Sequence, residues 1–232
     1  MEFDNCGLLV GDKNAEVTKV LVSLDITPSV AAEAEENGCE LIISHHPVIF
    51  NPLKTLKANA VPYLLAAKGI AAVCMHTNLD LSEKFGVNLC LADAAGVKNP
   101  VKSALGECMF TGELESETEI DEFAQTVKTA LDCEGLRYTD VKKRVKKVAV
   151  ASGAGGSDIF AAQAEGADVL ITGEIKHHEI NAANESGIDI IDAGHFKSED
   201  IVILPLMNKL KQHFTKIDFI KSKSYTDHIK FI

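Results

Sequence analysis

The chain contains one sequence pattern twice, and the two copies align without a gap. The first copy begins at Val17 and reads VTKVLVSLDITPSVAAEAEENGCELIISHH, and the second begins at Val145 and reads VKKVAVASGAGGSDIFAAQAEGADVLITGE. Val20 matches Val148 at an offset of 128 residues, and the same offset holds to the end of both copies. Because an internal repeat reflects one structural unit used twice, the pattern predicts two similar halves.

Each copy is followed by a glycine, an apolar run and a histidine that lies four residues before an acidic residue. In GIAAVCMHTNLD the pair is His76 and Asp80, and in GIDIIDAGHFKSE it is His195 and Glu199, now at an offset of 119. The repeat therefore carries residue types that bind metals. We predict that two α/β halves face each other across one site.

Both copies predict the order strand, helix, strand, helix, strand. The first copy predicts a strand Lys19–Leu24, a helix from Pro28, a strand Leu41–Ser44, a helix near Asn59–Lys68 and a strand Ala71–Met75. The second predicts a strand at Val148, a helix to Glu165, a strand Val169–Thr172, a helix through His177 and a strand Asp189–Asp192. A loop is expected over His76–Asp80, and a closing helix over Glu199–Gln212. This order indicates a mainly parallel sheet with ligands beyond the carboxyl ends of its strands.

The predicted fold class is α/β, with two similar, intimately packed halves, mainly parallel or mixed sheets, and a metal site between the halves. The first half is expected to cover residues 1–100 and the second residues 145–232. Residues 101–144 depart from the repeat and are interpreted as a connector or sheet edge, with a strand-like LGECMFTGELE and a helix-like segment from Thr118 to Leu131. No Pro-rich linker separates the halves, so independent motion is not expected.

Charge and composition argue against membrane and nucleic-acid partners. The net charge is -11, which disfavours general attraction to phosphate. The basic cluster at residues 142–147 is interpreted as a solvated lead-in to the strand at Val148, with contact to a nucleotide or nucleic acid as the alternative. No apolar run approaches the roughly 20 residues needed to span a bilayer. The six cysteines form no Cys-x-x-Cys pair, and no secretory signal precedes them. These features predict a soluble, cytoplasmic protein with reduced thiols.

Neutral imidazole and carboxylate groups together suit borderline divalent ions such as Zn, Mn, Fe, Co or Ni. The predicted ligands are His45, His46, Asp80, His195 and Glu199. Five ligands exceed the needs of one four-coordinate structural site, so we predict two metal ions per chain, an arrangement used for hydrolysis. Because consecutive residues in an extended segment point in opposite directions, the two adjacent histidines either bind different metals or act in different shells.

Four further residues have open roles. His76 is a candidate catalytic residue as a general acid or base, with ligand orientation and simple packing as the alternatives. Asp25 ends the first strand of the repeat and is expected to face the same cleft as an outer-shell hydrogen-bond acceptor. One of His177 and His178 is expected to line the cavity, although an exposed helix surface is an equal alternative.

The segment SGAGGS at Ser152–Ser157 is rich in glycine but matches neither nucleotide-binding spacing. It has the glycine content of a phosphate-cradling loop at a helix start. We interpret it as a tight turn between a strand and a helix.

Six motifs distributed over nearly the whole chain resemble those of the NIF-three-like proteins, a family also known as GTP cyclohydrolase 1 type 2 homologues. They are DNCGLLVG from Asp4, SLD from Ser23, ISHHP around Ser44, HTNLD from His76, TGE from Thr172 and GHFKSE from Gly194. The resemblance implies a dinuclear metal centre bound by the five ligands named above. It also implies two similar α/β halves and a ring-shaped homohexamer with its metal sites facing an inner cavity.

The resemblance implies a function that the residues alone do not specify. It favours a metal-dependent hydrolase of a nucleotide-like substrate, in which opening of the GTP imidazole ring releases formate. The alternative is a metal-binding oligomeric scaffold or regulatory interaction protein without enzymatic activity. Relatives usually carry a helical segment before the DNxGL motif, whereas this chain starts three residues ahead of it, so a truncated or mis-assigned start is an open expectation. The chain also lacks the central domain inserted in longer relatives.

Overall fold

A computed structural model describes residues 4–232 of the chain. The strands are β1 Gly7–Val10, β2 Lys19–Ser23, β3 Leu41–Ser44, β4 Ala71–Cys74, β5 Lys98–Lys102, β6 Phe110–Glu119, β7 Arg137–Tyr138, β8 Arg144–Ala151, β9 Val169–Thr172, β10 Asp189–Asp192 and β11 Asp218–Lys221. The helices are α1 Pro28–Glu36, α2 Val61–Lys68, α3 Thr77–Asp80, α4 Val87–Ala94, α5 Ile120–Ala130, α6 Ile159–Ala164, α7 His177–Ser186, α8 His195–Asp200 and α9 Ile203–His213.

The first compact unit comprises the residues up to Leu79 together with Ile203–Thr226. Its sheet has the strand order β1-β4-β3-β2-β11, and every neighbouring pair is parallel except β1 with β4. The core of this unit lies between the sheet and helices α1 and α2, where Leu21, Val30, Ile42 and Leu65 are fully buried.

The second compact unit comprises Asp80–Val202 and Asp227–Ile232. Its sheet has the order β5-β6-β8-β9-β10-β7, in which β8, β9 and β10 are parallel and the outer strands are antiparallel. The fold is therefore a mixed α/β fold with two mainly parallel or mixed sheets, as the sequence predicts. Strand β6 and helix α5 come from the predicted connector, and both pack into this unit.

The parallel strands that correspond in the two copies of the repeat have equivalent register. Val20 lies opposite Leu41 in the first unit, and Val148 lies opposite Val169 in the second, each pair at the offset of 128. The β-α-β-α-β order of the copies is likewise the same. The repeat in the sequence is therefore a repeat in backbone structure.

Two predicted elements differ from the structure. Thr77–Asp80 forms the short helix α3 where a loop was expected. The predicted closing helix Glu199–Gln212 is instead two helices, and the first of them begins at His195 because Gly194 adopts a positive φ of 84° that turns the chain after β10. His195 and Glu199 therefore both lie within α8, with the four-residue spacing of one helix face, whereas His76 directly precedes α3 and Asp80 ends it.

Helix α4 and strand β5 belong to the second compact unit. The sequence pattern instead predicted residues 1–100 as the first half. Helix α4 buries Leu91 and Ala92 in the same core as Phe123 and Val127 of α5. The predicted boundaries of the two halves, at residues 100 and 144, were drawn from the sequence repeat, and they stay a prediction.

The basic cluster at residues 142–147 is largely neutralised by neighbouring carboxylates. Lys142 pairs with Asp168 at 2.7 Å, and Arg144 lies 3.3 Å from Glu119. Lys146 lies 3.9 Å from Glu113. These pairs agree with the interpretation of the cluster as an ordinary solvated surface.

All six cysteines are free thiols, and three of them are buried. Within residues 4–232, no helix combines the length and apolar character required to cross a bilayer.

Candidate metal sites

In the first unit, His45 and His46 follow the carboxyl end of the buried strand β3. The backbone N–H of His45 donates to Leu24 O at 3.1 Å, and that of His46 donates to the same oxygen at 2.9 Å. Ser44 Oγ donates to His46 O at 2.8 Å. The end of β2 and the end of β3 thus hold both histidines in a fixed backbone conformation.

The Nδ1 atom of each histidine in this unit faces a hydrogen-bond acceptor. His45 Nδ1 lies 2.8 Å from Met75 O, His46 Nδ1 lies 2.8 Å from Asp25 Oδ2, and His76 Nδ1 lies 2.7 Å from Asp4 Oδ1. Because these acceptors require a proton on Nδ1, the neutral form of each ring carries its lone pair on Nε2. This arrangement orients histidines for metal binding in proteins.

The three imidazole rings form one group, which we call the histidine cluster. The ring centroid of His45 lies 5.0 Å from that of His46 and 5.3 Å from that of His76. The centroids of His46 and His76 are 5.7 Å apart. One ligand atom from each ring lies within 4.8 Å of the other two. His45 is buried, and the other two are half-buried. The cluster has the donor set and the spacing to hold a divalent ion.

Asp4 orients His76 and was not anticipated as a site residue. Its Oδ2 accepts hydrogen bonds from Thr77 N at 3.1 Å and from Thr77 Oγ1 at 2.6 Å, and Cys6 Sγ donates to the same atom at 3.0 Å. Burial raises the pKa of Asp4, but the hydrogen bonds from Cys6, Thr77 and His76 outweigh it and hold the pKa well below its usual range. Asp4 is therefore an anion that favours a proton on His76 Nδ1.

In the second unit, His195 and Glu199 project from the same face of α8. His195 Nε2 lies 3.0 Å from Glu199 Oε2, and His195 Nδ1 lies 2.8 Å from Glu174 Oε1. The Glu199 side chain is only 5% exposed, whereas that of Glu174 is 60% exposed. A buried carboxylate beside an imidazole nitrogen gives two donors for one cation, and Glu174 orients the ring from its other edge.

The glycine-rich segment forms a cradle around the Glu199 carboxylate. Gly153 has a φ of 61°, and a Cβ atom there would overlap Glu199 Oε1 and lie 3.3 Å from His195 Nε2. Its N–H donates to Ser198 Oγ at 3.1 Å, and its carbonyl oxygen accepts from Gly173 N at 2.8 Å. The segment is a tight turn between β8 and the next helix, as predicted, but sequence reasoning missed its contact with the predicted ligands His195 and Glu199.

Asp80, at the end of α3, is 6% exposed. Burial raises the pKa of the Cys108 thiol to about 12, and the negative charges of Asp80, Asp158 and Glu199 add to this effect. The carboxylates of Asp80 and Glu199 therefore act on the same thiol within the second unit.

His177 and His178 lie at the start of α7, and both are exposed. Neither belongs to a group of potential metal ligands within residues 4–232. Asp25, by contrast, bonds to His46 as an orienting acceptor, the role that its position after β2 suggested.

Comparison with known proteins identifies the class to which this chain belongs. The family model Duf34/NIF3 (NGG1p interacting factor 3) matches residues 1–228. The chain therefore belongs to the DUF34/NIF3 family.

Among the relatives, a GTP cyclohydrolase 1 type 2 homolog of Clostridium perfringens is 36% identical over 246 residues, covering 99% of this chain and 92% of the relative. A protein of the same description from Clostridium acetobutylicum is 33% identical, with coverage of 99% and 91%. The resemblance expected from the sequence motifs is thus confirmed.

Solved structures support the same fold. A hypothetical protein of Staphylococcus aureus matches with a TM-score of 0.87 at 29% identity, covering 100% of this chain and 93% of the other. A Bacillus cereus protein related to NIF3 matches with a TM-score of 0.84 at 26% identity, with coverage of 100% and 94%.

Proposed function

We propose that this protein binds two divalent metal ions per chain, drawn from Zn, Mn, Fe, Co and Ni, and that it is a metal-dependent hydrolase. The proposed ligands are His45, His46, Asp80, His195 and Glu199. The observation that carries the proposal is the fixed orientation of the histidines, because each ligand histidine has its Nδ1 atom held by an acceptor. An ordinary buried histidine needs no such common arrangement.

The donor set fits borderline ions better than Mg²⁺ or Ca²⁺. Imidazole nitrogens are preferred by Zn²⁺ and its neighbours, whereas Mg²⁺ and Ca²⁺ prefer ligand sets made of oxygen atoms. The buried Glu199 and Asp80 side chains supply negative charge that offsets the charge of the ions. Bound divalent ions would supply Lewis acidity and activation of water for hydrolysis.

We assign His76 the role of general acid or base. Asp4 holds a proton on its Nδ1 atom, and its ring lies within the histidine cluster, so Nε2 is the atom that exchanges a proton with a substrate. The ring is half-buried, and Phe50 packs edge-on against it with a centroid distance of 6.3 Å. This position keeps the proton-transfer atom close to the proposed ligands.

The proposed substrate is nucleotide-like, and GTP is the first compound to test. The support is the description of the relatives as GTP cyclohydrolase 1 type 2 homologs. The proposed assembly is a homohexameric ring in the cytoplasm, without membrane or nucleic-acid partners. An alternative function is a metal-binding scaffold or regulatory interaction protein, which is favoured by the words "interacting factor" in the family description.

The first experiment is metal analysis of protein purified without chelator, together with its native mass. We expect about two ions per chain in the wild type. His45→Ala and Glu199→Ala should each lower the metal content while the circular dichroism spectrum is retained. His213→Ala is the matched control, because His213 is exposed on α9 and its Nδ1 atom lies 2.9 Å from Lys209 O of the preceding helical turn. Unchanged metal content in both site variants would refute the assignment.

The second experiment separates enzyme from scaffold. Metal-loaded protein is incubated with GTP, and formate and the opened base are measured by enzymatic assay and mass spectrometry. Formate release that is lost in His76→Ala, with metal content retained, supports the hydrolase. Full metal loading with no turnover of GTP or of a panel of nucleotides and cyclic amides favours the scaffold.

A further inference from the structure

Asn88 is a fully buried amide in the second unit, near the start of α4. Its exposed fraction is 0%, and its helix neighbours Val87 and Leu91 are equally buried. Burying an amide without hydrogen bonds is costly, so a side chain of this kind is kept only with its donors and acceptor satisfied.

The amide joins three separate segments of the chain. Its Oδ1 accepts the backbone N–H of Ser152 at 2.8 Å. Its Nδ2 donates to Cys108 O at 3.0 Å and to Asp80 O at 3.3 Å. One side chain therefore connects the end of α3, the segment before β6 and the end of β8.

One of these segments carries the proposed ligand Asp80, and another lies against the proposed ligand Glu199. The Nδ2 atom of Asn88 donates to the carbonyl oxygen of Asp80 itself, and Oδ1 accepts from Ser152, the residue before Gly153, whose backbone lies against Glu199. Movement of either segment would change the separation of the two carboxylates. The planar amide allows little such movement, because both of its ends are bonded to backbone atoms.

We propose that Asn88 is a positioning residue that fixes Asp80 relative to Glu199 and thereby sets the affinity and coordination geometry for divalent metal. The inference rests on the proposed metal-binding function. Orienting partners of metal ligands typically contribute about 10–100-fold in affinity, and this is the size of effect expected for Asn88.

The test uses two variants with different chemistry. Asn88→Asp keeps the shape and the acceptor for Ser152 but places an oxygen against two carbonyl oxygens. Asn88→Ala removes all three bonds. Each full-length protein is titrated with Co²⁺, and the dissociation constant and the visible d–d absorption are recorded alongside thermal unfolding of the metal-free protein. We expect a dissociation constant raised about 10–100-fold and an altered absorption envelope.

Thr139→Val is the matched control for loss of stability. Thr139 Oγ1 donates to Asp189 Oδ1 at 2.9 Å and accepts Ile190 N–H at 3.0 Å, at the start of β10 and thus at the opposite end of that strand from His195. This variant should melt at a lower temperature while its Co²⁺ affinity and spectrum stay those of the wild type.

The outcomes separate the two proposals. A wild-type protein that binds no Co²⁺ overturns the proposed function. A wild type that binds, with Asn88 variants of equal affinity and spectrum, overturns only the role of Asn88. If neither variant folds, hydrogen exchange of the Ser152 amide in the wild type decides: slower exchange on Zn²⁺ addition supports the link, and an unchanged rate refutes it.

Discussion

The carboxylate of Glu199 lies against the backbone of Gly153, so closely that a Cβ atom at position 153 would overlap its Oε1 atom. This contact joins a turn after β8 to α8, the helix that carries the proposed ligands His195 and Glu199. A glycine is required here for space as well as for its φ of 61°. The two requirements are separable by experiment.

Gly153→Ala should weaken metal binding by at least about tenfold, because the added methyl group displaces the Glu199 carboxylate. It should also destabilise the protein by about 1–2 kcal/mol through the left-handed backbone conformation. Metal affinity by titration calorimetry and unfolding in urea measure the two effects.

Gly166→Ala controls for backbone strain alone. Gly166 has a similar φ of 78°, and the nearest group to an added Cβ is Lys147 Nζ at 4.0 Å. The control should lose stability and keep its metal affinity. Equal affinities in the two alanine variants would mean that the Glu199 carboxylate adjusts freely.

Asp25→Ala should weaken metal binding about 10–100-fold, because His46 loses the acceptor that fixes its ring and tautomer. Asp12→Ala is a suitable control, since Asp12 lies on an exposed turn and its Oδ1 accepts the N–H of Asn14 at 2.9 Å. Metal stoichiometry and affinity are measured for both variants. Asp25→Ala with wild-type affinity would show that the protein backbone alone positions the ring.

Much of the fold could be predicted from the repeat, because strand order and register depend on local patterns that the sequence displays. The predicted strands Leu41–Ser44, Val169–Thr172 and Asp189–Asp192 agree with β3, β9 and β10 in their bounds. The helical form of His195–Glu199 was missed, although a spacing of four residues is itself the period of one helix face.

The orienting residues of the candidate site were harder to predict. Asp4 bonds to His76 across 72 residues of sequence, and Gly153 contacts Glu199 although the two residues lie far apart along the chain. Such contacts depend on how the strands assemble, which spacing within a motif does not encode. The role of Asp25 could be predicted because this residue directly follows a predicted strand that the repeat defines.

The repeat extends to one pair of carboxylates outside the candidate site. Glu40 Oε2 accepts the backbone N–H groups of Thr18 and Lys19, and Asp168 Oδ2 accepts those of Lys146 and Lys147. The residues of each set correspond at the offset of 128. Each carboxylate therefore accepts hydrogen bonds from backbone N–H groups near the start of corresponding strands, β2 in the first unit and β8 in the second.

Glu40→Ala and Asp168→Ala should each lower the free energy of unfolding by about 1–2 kcal/mol, because hydrogen bonds from backbone amides to a carboxylate are lost. Each carboxylate also makes one side-chain contact that is lost: Glu40 accepts from Thr18 Oγ1 at 2.9 Å, and Asp168 pairs with Lys142 at 2.7 Å. Glu36→Ala, an exposed position at the end of α1, serves as the control in urea denaturation. A null effect in either unit would contradict the equivalence of the two carboxylates.

Glu33 links helix α1 to the segment after β11 and should make stability depend on pH. Its carboxylate accepts hydrogen bonds from Ser222 Oγ at 2.6 Å, Lys223 N at 2.9 Å and Ser224 N at 3.1 Å. Burial raises the pKa of Glu33, but these hydrogen bonds outweigh it and lower the pKa below its ordinary value.

The sign of the effect follows from the lowered pKa. Above the ordinary pKa of glutamate, about 4.3, the charged carboxylate contributes fully to stability, and the contribution is lost as pH falls through the lower pKa of the folded state. Glu33→Ala should therefore cost about 1–2 kcal/mol near pH 7 and progressively less from about pH 4 downward. Urea denaturation of the wild type and the variant across this pH range measures the difference in their unfolding free energies. Because the other carboxylates titrate in both proteins, this difference isolates the contribution of Glu33. A difference in unfolding free energy that stays constant with pH would mean that packing of the Glu33 side chain, rather than its charge, holds the segment.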